Sequence, residues 1–480
     1  MGMKMAGFDR KWGLSSTEAA AAISVAAIWT TVIVVPSALV VVLFCIPFLW
    51  GVLRPYDFVV MVLPSLLPLI NSSLPGLDGR SGLIVALFAV GVGAVIGLQR
   101  QGLLTRWRLP RLVIVGWLWI LFAEVISAIA TGGPQLFGLI AVRLVRTAIF
   151  AMAGLAISRG MEPRKIAFGW LLFGVIELAA AILIQREYGT VLAVRANPFQ
   201  IGSVLGSALL MAGMGNLAVA SVWGTIGLGW GRAKERTVVF VAFAMAFMVA
   251  SFYSSRRQGL LALMCSALLF LVLQRGRRKV VTSTLVCLVF AGSYLLPPIQ
   301  EFMAGRQSIF SEFKERAGIY GYMAIHRAGV NAFLAHPLTG LGLGNYPLQT
   351  ASEGIWSGAD PSQGISSHNS VIRVFAETGL TGGIGVILLL AGVVVVGVRA
   401  WRQLRMSGRG IVSFVASGLG GLVIAGMSVT LLDDVGYCFV LGQFVGLCAY
   451  VVRAAPVRRA DEGAALLPGK VALSRAGARK

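Results

Sequence analysis

Apolar stretches long enough to cross a lipid bilayer recur along this chain from near Ser16 to Arg453. A helix needs about 20 apolar residues to span the hydrocarbon layer, and no polar stretch between these segments is long enough for a separate soluble domain. With 57% hydrophobic and 12% charged residues over 480 positions, the composition also excludes a soluble globular protein. The sequence therefore predicts a membrane protein with many spans.

Spans this apolar must be helices, because each must satisfy its backbone hydrogen bonds internally and no alternating barrel pattern is present. We expect an all-α polytopic membrane protein with about 12–14 transmembrane helices. Residues 18–53 leave two interpretations open. A hairpin of two short spans broken near Pro36 gives about fourteen spans, whereas one long tilted helix gives about thirteen.

The basic residues that give the chain its net charge of +22 are distributed in a way that indicates membrane topology. If the amino terminus is cytoplasmic and residues 18–53 form the hairpin, every large basic cluster falls on the cytoplasmic side, as the positive-inside rule requires. The clusters lie at residues 4–11, 54, 100–111, 159–165, 232–236, 275–279, 399–409 and from 453 onward. This arrangement argues against nucleic-acid binding and places the one large loop outside the cytoplasm.

The chain divides around that loop into parts of one integrated membrane domain. The predicted parts are an amino-terminal transmembrane region (1–298), a helical periplasmic loop (299–368), carboxy-terminal transmembrane helices (369–453) and a basic cytoplasmic tail (454–480). All three histidines, His326, His336 and His368, lie in or beside the loop. A histidine held at a membrane surface beside arginines is suited to acid/base chemistry.

Four arginines lie in short turns or in the loop on the outer face, namely Arg195, Arg256, Arg257 and Arg316. A guanidinium group stays charged and donates hydrogen bonds in a planar fork, so it suits phosphate. Each of these arginines could instead reach lipid headgroups or cap a helix. Together with a histidine, they favour a pyrophosphate site at the membrane surface.

Arg143 and Arg146 lie within a predicted span, three residues apart and hence on one helix face. Because arginine in hydrocarbon is costly, each should face a partner or a cavity. Glu124 or Glu177, on other spans, would neutralise them. A structural ion pair and a ligand site remain equal alternatives.

Two local predictions concern the end of the loop and the helix that follows it. Arg373 lies four residues before Glu377 and should pair with it within one helix. The glycine-rich run from Gly340 to Gly344 superficially resembles a nucleotide loop, but it follows no strand, so we interpret it as a tight backbone turn.

Several of these stretches resemble one family. The run His336-Pro337-Leu338-Thr339-Gly340-Leu341-Gly342-Leu343-Gly344-Asn345-Tyr346 is followed by Ser367-His368-Asn369-Ser370 and by Phe375-Ala376-Glu377-Thr378-Gly379-Leu380-Thr381-Gly382. This order is similar to the signature of the bacterial O-antigen ligase and O-antigen polymerase superfamily. The turn Ser255-Arg256-Arg257-Gln258-Gly259-Leu260-Leu261-Ala262 resembles another motif of that family, although here two arginines stand together.

The resemblance implies a glycosyltransferase of the C-type membrane fold in the bacterial inner membrane, with its active site on the periplasmic side. The donor would be an undecaprenyl-pyrophosphate-linked glycan and the acceptor a hydroxyl of lipid A-core, with no nucleotide sugar, metal or other cofactor. By the same resemblance, His368 is the general base and attack inverts the anomeric centre. Arg195, Arg316 and one or both of the adjacent Arg256 and Arg257 would bind the pyrophosphate.

Other loop residues have weaker assignments. His326 and Tyr320 are possible substrate contacts, but a solvated helix face explains the first and interfacial anchoring the second. His336 precedes Pro337, which favours an extended turn, so we interpret it as structural.

The superfamily leaves more than one activity open. One large loop and a short basic tail favour a ligase over a polymerase or a protein-directed transferase, although this argument is by association only. A lipid or solute transporter would also explain many spans and buried arginines. Against transport, the sequence shows no paired inverted repeat and no series of intramembrane acids.

Overall fold

The structure is a computed structural model of the chain. It describes residues 15–34, 48–66, 109–131, 136–159, 316–355, 370–407 and 435–465, with scattered positions at 96, 99, 100, 162, 165, 166, 168, 169, 172, 173, 175, 367 and 369. The main helices are α1 (Ser16–Val34), α2 (Pro55–Leu66), α3 (Arg111–Thr131), α4 (Leu136–Arg159), α5 (Arg316–Ala335), α6 (Tyr346–Ser352), α7 (Ser370–Ser407) and α8 (Val435–Ala465). Every regular element in these ranges is helical.

Three of these helices contain a segment that is long and apolar enough to cross a membrane. The segments are Arg111–Ala130, Ile140–Ser158 and Ser370–Gln403. The chain is therefore an all-α polytopic membrane protein, as the composition predicts. The remaining spans of the predicted set fall mostly on residues outside the described ranges.

Glycines set the packing of α3 against α7. A Cβ atom at Gly116 would collide with the backbone of Leu389, and one at Gly385 or Gly392 would collide with α3. Small residues allow membrane helices to approach this closely. In a lipid bilayer the hydrophobic effect does not drive helices together, so close van der Waals packing stabilises their association. Since the start of α3 meets the later part of α7, the two helices run antiparallel.

Glycines also allow close packing of α4 against α8, but these two helices run parallel. Gly442 lies against the carbonyl of Phe150, and Gly446 lies against Gly154. Because contacts advance along both helices in the same direction, α4 and α8 end on the same side of the bundle.

These directions bring the basic residues to one end, which we call the basic end. Arg111 begins α3, Arg159 ends α4, Arg399 lies late in α7 and Arg453 lies in the second half of α8. The packing is therefore consistent with the charge sorting that the sequence predicts. The opposite end holds the start of α7 and the loop that docks on it, and we call it the loop end.

The two ends of residues 17–54 lie close together. Trp50 donates from its indole nitrogen to the Ser24 hydroxyl at 3.2 Å, and Arg54 donates to the Thr17 hydroxyl at 2.9 Å. One continuous helix would separate positions 17 and 54 by about 55 Å. The interpretation as a single long helix is therefore wrong. The predicted break of the hairpin near Pro36 lies outside the described residues.

The buried ion pair forms between α3 and α4. The Arg143 guanidinium lies 3.3 Å from the Glu124 carboxylate, and both side chains are less than a tenth exposed. With Arg146 and Thr147 they line a cavity of about 10 Å³, room for roughly one water molecule. This geometry confirms Glu124 as a partner of Arg143, whereas the other candidate, Glu177, lies outside the described residues.

Candidate active site at the loop end

The helix α7 is broken where it passes Gly379. The helix spans 38 residues, but within it Gly379 has φ 64° and ψ −154°, which are not helical values. The break leaves the carbonyls of Ala376 and Glu377 without their usual partners four residues on. The loop supplies them, because Leu341 N–H donates to Ala376 at 2.8 Å and Gly342 N–H donates to Glu377 at 3.0 Å.

Bonding also runs in the other direction. The N–H of Leu380 donates to the Pro337 carbonyl at 2.7 Å, and the Thr381 hydroxyl donates to the Leu338 carbonyl at 3.2 Å. Non-helical backbone at membrane depth is tolerated only where protein satisfies it. The loop from Pro337 to Gly342 therefore completes the hydrogen bonding of the broken helix.

Glycine is required on both sides of this contact. Gly340 has φ 70°, and a Cβ atom there would collide with the Glu377–Thr378 peptide. A Cβ atom at Gly379 would lie about 2.5 Å from the Leu338 carbonyl carbon. Gly342 and Gly344 also have positive φ, at 100° and 84°. The tight backbone turn predicted for this run is confirmed.

The Glu377 side chain is buried beneath the loop, with 2% of it exposed. Its Oε1 atom lies 3.1 Å from Arg373 Nε, and it accepts a long hydrogen bond of 3.4 Å from the N–H of Tyr346. The predicted Arg373–Glu377 pair is thus confirmed. The Ser127 hydroxyl of α3 donates to the Glu377 carbonyl at 3.0 Å, so Glu377 also connects the loop end to α3.

Tyr346, the first residue of α6, is completely buried between α5 and α7. Its hydroxyl donates to the Ile325 carbonyl at 2.5 Å. Burial raises the pKa of Tyr346 to about 12. Its ring packs with Ile325, Ala332 and Ala376 in one apolar cluster.

The entry to α7 is fixed by Asn369. Its Oδ1 atom accepts hydrogen bonds from the N–H groups of Val371 at 2.9 Å and Ile372 at 3.2 Å, which is an N-cap. The Ser367 hydroxyl donates to the Asn369 carbonyl at 2.8 Å and accepts from its N–H at 3.1 Å. His368 itself lies outside the described residues, but both of its neighbours in sequence are held.

The other two histidines differ from each other. His326 on α5 is partly buried, and desolvation lowers its pKa. Within the described part of the chain its Nε2 atom has no hydrogen-bond partner. His336 is exposed and uses its backbone, donating to Ala332 and accepting from Gly340. This agrees with its interpretation as a structural residue.

The predicted phosphate-binding residues are not tested by the geometry. Arg195, Arg256 and Arg257 lie outside the described residues. Arg316 and Tyr320 belong to α5, where the structure describes the backbone, but their side chains lie outside the described part of the chain. Their convergence with His368 stays a prediction. Within the described ranges, no group of three His, Cys, Asp or Glu side chains is arranged to hold a metal ion.

Sequence reasoning missed two residues of this end. Tyr346 is part of the quoted loop motif, but nothing in the sequence indicates that its hydroxyl reaches the Ile325 carbonyl, 21 positions earlier. Ser127 is a small polar residue in an apolar span, and its contact is 250 positions away. A polar residue in a span is a weak signal for such a contact, and pairing it correctly requires the fold.

Comparison with known proteins bears on the same region. No curated protein matches the chain significantly. Residues 240–387 match a family model described as O-Antigen ligase. The matched segment covers less than a third of the chain, but it contains the Ser255–Ala262 turn, the whole loop and the break in α7. Over residues 240–387 the chain is therefore similar to the O-antigen ligase family, which confirms the resemblance to the O-antigen ligase and polymerase superfamily.

Proposed function

We propose that this protein is an O-antigen ligase of the bacterial inner membrane. It transfers a glycan from undecaprenyl pyrophosphate to a sugar hydroxyl of lipid A-core, at the periplasmic face. The loop end is then the periplasmic end and the basic end is cytoplasmic. The fold is of the C-type glycosyltransferase class, and the reaction inverts the anomeric centre without a metal or other cofactor.

One observation carries the proposal. The family match extends over residues 240–387 and includes His368 together with the turn that contains Arg256 and Arg257. In the part of that segment that the structure describes, the loop and the broken helix complete each other's hydrogen bonds. Backbone held in this way is what positioned acid/base chemistry needs.

The chemistry follows from the residue types. The imidazole of His368, with an ordinary pKa of about 6.5, accepts the proton of the acceptor hydroxyl at neutral pH. The oxygen then attacks the anomeric carbon and the bond to the pyrophosphate breaks. Arg195, Arg316 and Arg256 or Arg257 offset the charge that develops on the leaving phosphate. His326 and Tyr320 are proposed contacts to the sugars.

The same family match favours an O-antigen polymerase equally well, because both activities occur in the superfamily. The two differ in the acceptor, which is lipid A-core for a ligase and another lipid-linked repeat for a polymerase. We place the ligase first because the sequence has one large loop. Transport of a lipid or solute is the alternative of a different class.

The test is His368→Ala in a strain that lacks the native gene, with His336→Ala as the matched control. His336 is exposed and bonds through its backbone only among the contacts described, so its variant should keep activity. The His368 variant should lose long-chain lipopolysaccharide on a gel, retain intact core, and accumulate polymeric lipid-linked glycan. Membrane abundance of both variants is measured by immunoblot.

Each other outcome has a distinct meaning. Core that carries a single repeat unit would indicate a polymerase. A full ladder in a well-expressed His368 variant would remove His368 from the mechanism and favour the transporter. Loss of the ladder in the His336 variant, at normal abundance, would contradict our assignment of the two histidines.

A further inference from the structure

An open cavity of about 470 Å³ lies between the first turn of α1 and the helical turns of residues 48–53. Its place in the bundle follows from the start of α2, where the Tyr56 hydroxyl accepts a hydrogen bond of 2.9 Å from the N–H of Glu162. Glu162 follows closely on Arg159, which ends α4 at the basic end. The cavity therefore lies at the basic end, away from the loop end and its proposed reaction.

The lining of the cavity is polar at its outer edge and apolar further in. The polar groups come from Ser16, Thr17 and Arg54, and the apolar ones from Ala20, Leu49 and Leu53. Leu49 is 54% exposed and Leu53 is 70% exposed. Exposed apolar side chains beside a polar rim mark a site of interaction with a membrane or a partner. In a protein that crosses the bilayer, these leucines lie against lipid acyl chains.

Arg54 lies at the polar edge with unused hydrogen-bond donors. Its Nη1 atom donates to the Thr17 hydroxyl at 2.9 Å and lies 3.8 Å from the Asp57 carboxylate. Lys165 is closer to Asp57, at 2.8 Å, so the charge of Arg54 is only weakly offset. Both contacts of Arg54 within the described ranges use Nη1, and its side chain is 59% exposed. The Nη2 and Nε groups can therefore donate to a phosphate, which a guanidinium binds well.

The two segments that form the cavity are joined at two levels. Besides the Arg54–Thr17 bond, the Trp50 indole donates to the Ser24 hydroxyl at 3.2 Å further along α1. Trp50 also lines the cavity, and tryptophan is enriched at the level of lipid headgroups. Glu18, the acid in this turn of α1, is 1% exposed and accepts a bond from the Ser15 N–H at 2.7 Å. No carboxylate is among the described residues that line the cavity, so an anion there meets only positive charge.

We propose that this cavity binds a phospholipid with an anionic headgroup from the cytoplasmic leaflet of the membrane. The phosphate accepts hydrogen bonds from Arg54 and from the Ser16 and Thr17 hydroxyls, and an acyl chain lies along Leu49 and Leu53. The anionic lipids of a cytoplasmic leaflet attract basic residues at its surface. The inference takes the basic end as cytoplasmic, as the proposed function does, but it does not depend on glycan transfer.

Charge argues against the amino-terminal segment of the chain as the occupant. Residues 1–14 contain three basic residues, Lys4, Arg10 and Lys11, and one acidic residue, Asp9. The segment has the same sign of charge as Arg54 and is repelled by it, whereas an anionic headgroup is attracted.

The experiment measures binding of phosphatidylglycerol to the purified full-length protein in a neutral detergent, by native mass spectrometry. Arg54→Gln removes the charge but keeps a hydrogen-bond donor. We expect the dissociation constant of one phosphatidylglycerol to rise about tenfold or more, because charge-assisted hydrogen bonds to the phosphate are lost. Arg54→Lys keeps the charge and should stay within about threefold of the wild-type value.

Arg402→Gln is the matched control. Arg402 is another exposed arginine of the basic end, on α7, and it does not line the cavity. Its loss lowers the net charge equally, but we expect the dissociation constant to change less than about twofold. Leu53→Ser changes the apolar lining at an exposed position and leaves Arg54 in place. It should weaken binding about threefold or more, because an acyl chain loses apolar contact.

Each other outcome overturns the proposal. Equal binding of phosphatidylglycerol by Arg54→Gln and wild type would do so, as would equally tight binding of phosphatidylcholine to wild type. Competition by soluble glycerol phosphate at the lipid concentration would assign the cavity to a soluble anion. Lipid binding that appears only after residues 2–14 are removed would assign it to that segment, and a dimer that dissociates in Leu53→Ser would assign it to a second copy.

The design also covers a failure of one variant to fold. If Arg54→Gln does not fold, Leu53→Ser and the comparison of the two phospholipids in the wild-type protein decide the question. None of these measurements involves glycan transfer, so failure of the lipid site and failure of the proposed function are distinguishable.

Discussion

Two side chains at the loop end have altered proton affinities for the same reason. Burial disfavours the charged form of any group, so it raises the pKa of Tyr346 to about 12 and lowers the pKa of His326. Both are therefore neutral near pH 7. The Nε2 atom of His326 is buried and has no hydrogen-bond partner among the described residues, and its contact with a sugar stays a prediction.

The lowered pKa of His326 predicts how stability depends on pH. The unfolded chain binds this proton more readily than the folded protein does, so protonation favours unfolding. The contribution of His326 is present above about pH 6.5, the ordinary value, and is lost as the pH falls through the lower value of the folded state. We expect the wild-type unfolding temperature to drop more than that of His326→Gln between pH 7.5 and the acid side of this window.

Thermal unfolding in detergent at a series of pH values measures this difference. His336 and His368 are present in both proteins, so their titration cancels in the comparison. Identical pH dependence in the two proteins would show that His326 is as solvated in the folded state as in the unfolded chain.

At the scale of helices, the break in α7 decides the geometry of the site. The sequence predicted the Arg373–Glu377 pair and the turn from Gly340 to Gly344, because both depend on residues close in the chain. It did not predict a break within the carboxy-terminal transmembrane helices (369–453). Glycine is frequent in transmembrane helices, so Gly379 becomes distinctive only beside Leu338, 41 positions earlier.

Comparing Gly379→Ala with Gly354→Ala separates two reasons why a position needs glycine, namely positive φ and the lack of space for a Cβ atom. Both positions have left-handed φ, 64° and 75°, but Gly354 is exposed whereas Gly379 is buried against the Leu338 carbonyl. Positive φ costs a residue with a Cβ atom about 1–3 kcal/mol, and the cost should be larger at Gly379, because its ψ of −154° lies in a region that essentially only glycine adopts. Gly379→Ala should lose more and should also reduce glycan transfer, because the loop must move away.

Denaturation of the purified proteins measures the loss of unfolding free energy, and the transfer assay measures the second effect. Equal destabilisation at the two positions would contradict the close contact between the loop and α7. Full activity of Gly379→Ala would contradict the view that this contact shapes the site.

At the scale of the whole molecule, the charge pattern predicted which ends of the helices lie together. The positive-inside rule needs only the order of basic clusters. Which helices touch could not be predicted, because α3 pairs with α7 and α4 with α8 through single glycines far apart in the sequence. For the same reason the sequence offered Glu124 or Glu177 as the group that neutralises Arg143 and Arg146; the structure pairs Arg143 with Glu124, and Glu177 lies outside the described residues.

The two ends should lie on opposite sides of the membrane. Leu338 at the loop end is 67% exposed, and Arg402 at the basic end is also exposed. We expect an impermeant maleimide to label Leu338→Cys in cells with a permeabilised outer membrane, and to label Arg402→Cys only after the inner membrane is opened. The unsubstituted protein measures the background from its native cysteines. Labelling in the reverse order would invert the topology.

The hydrogen bonds between the loop and α7 also bear on how such a protein can diversify. They join residues 337–342 to residues 376–381, so none of them uses an atom of residues 356–366. Doubling the length of a flexible loop costs only about 0.6 kcal/mol of closure entropy. Insertions and sequence changes within residues 356–366 should therefore leave the contact between the loop and α7 in place.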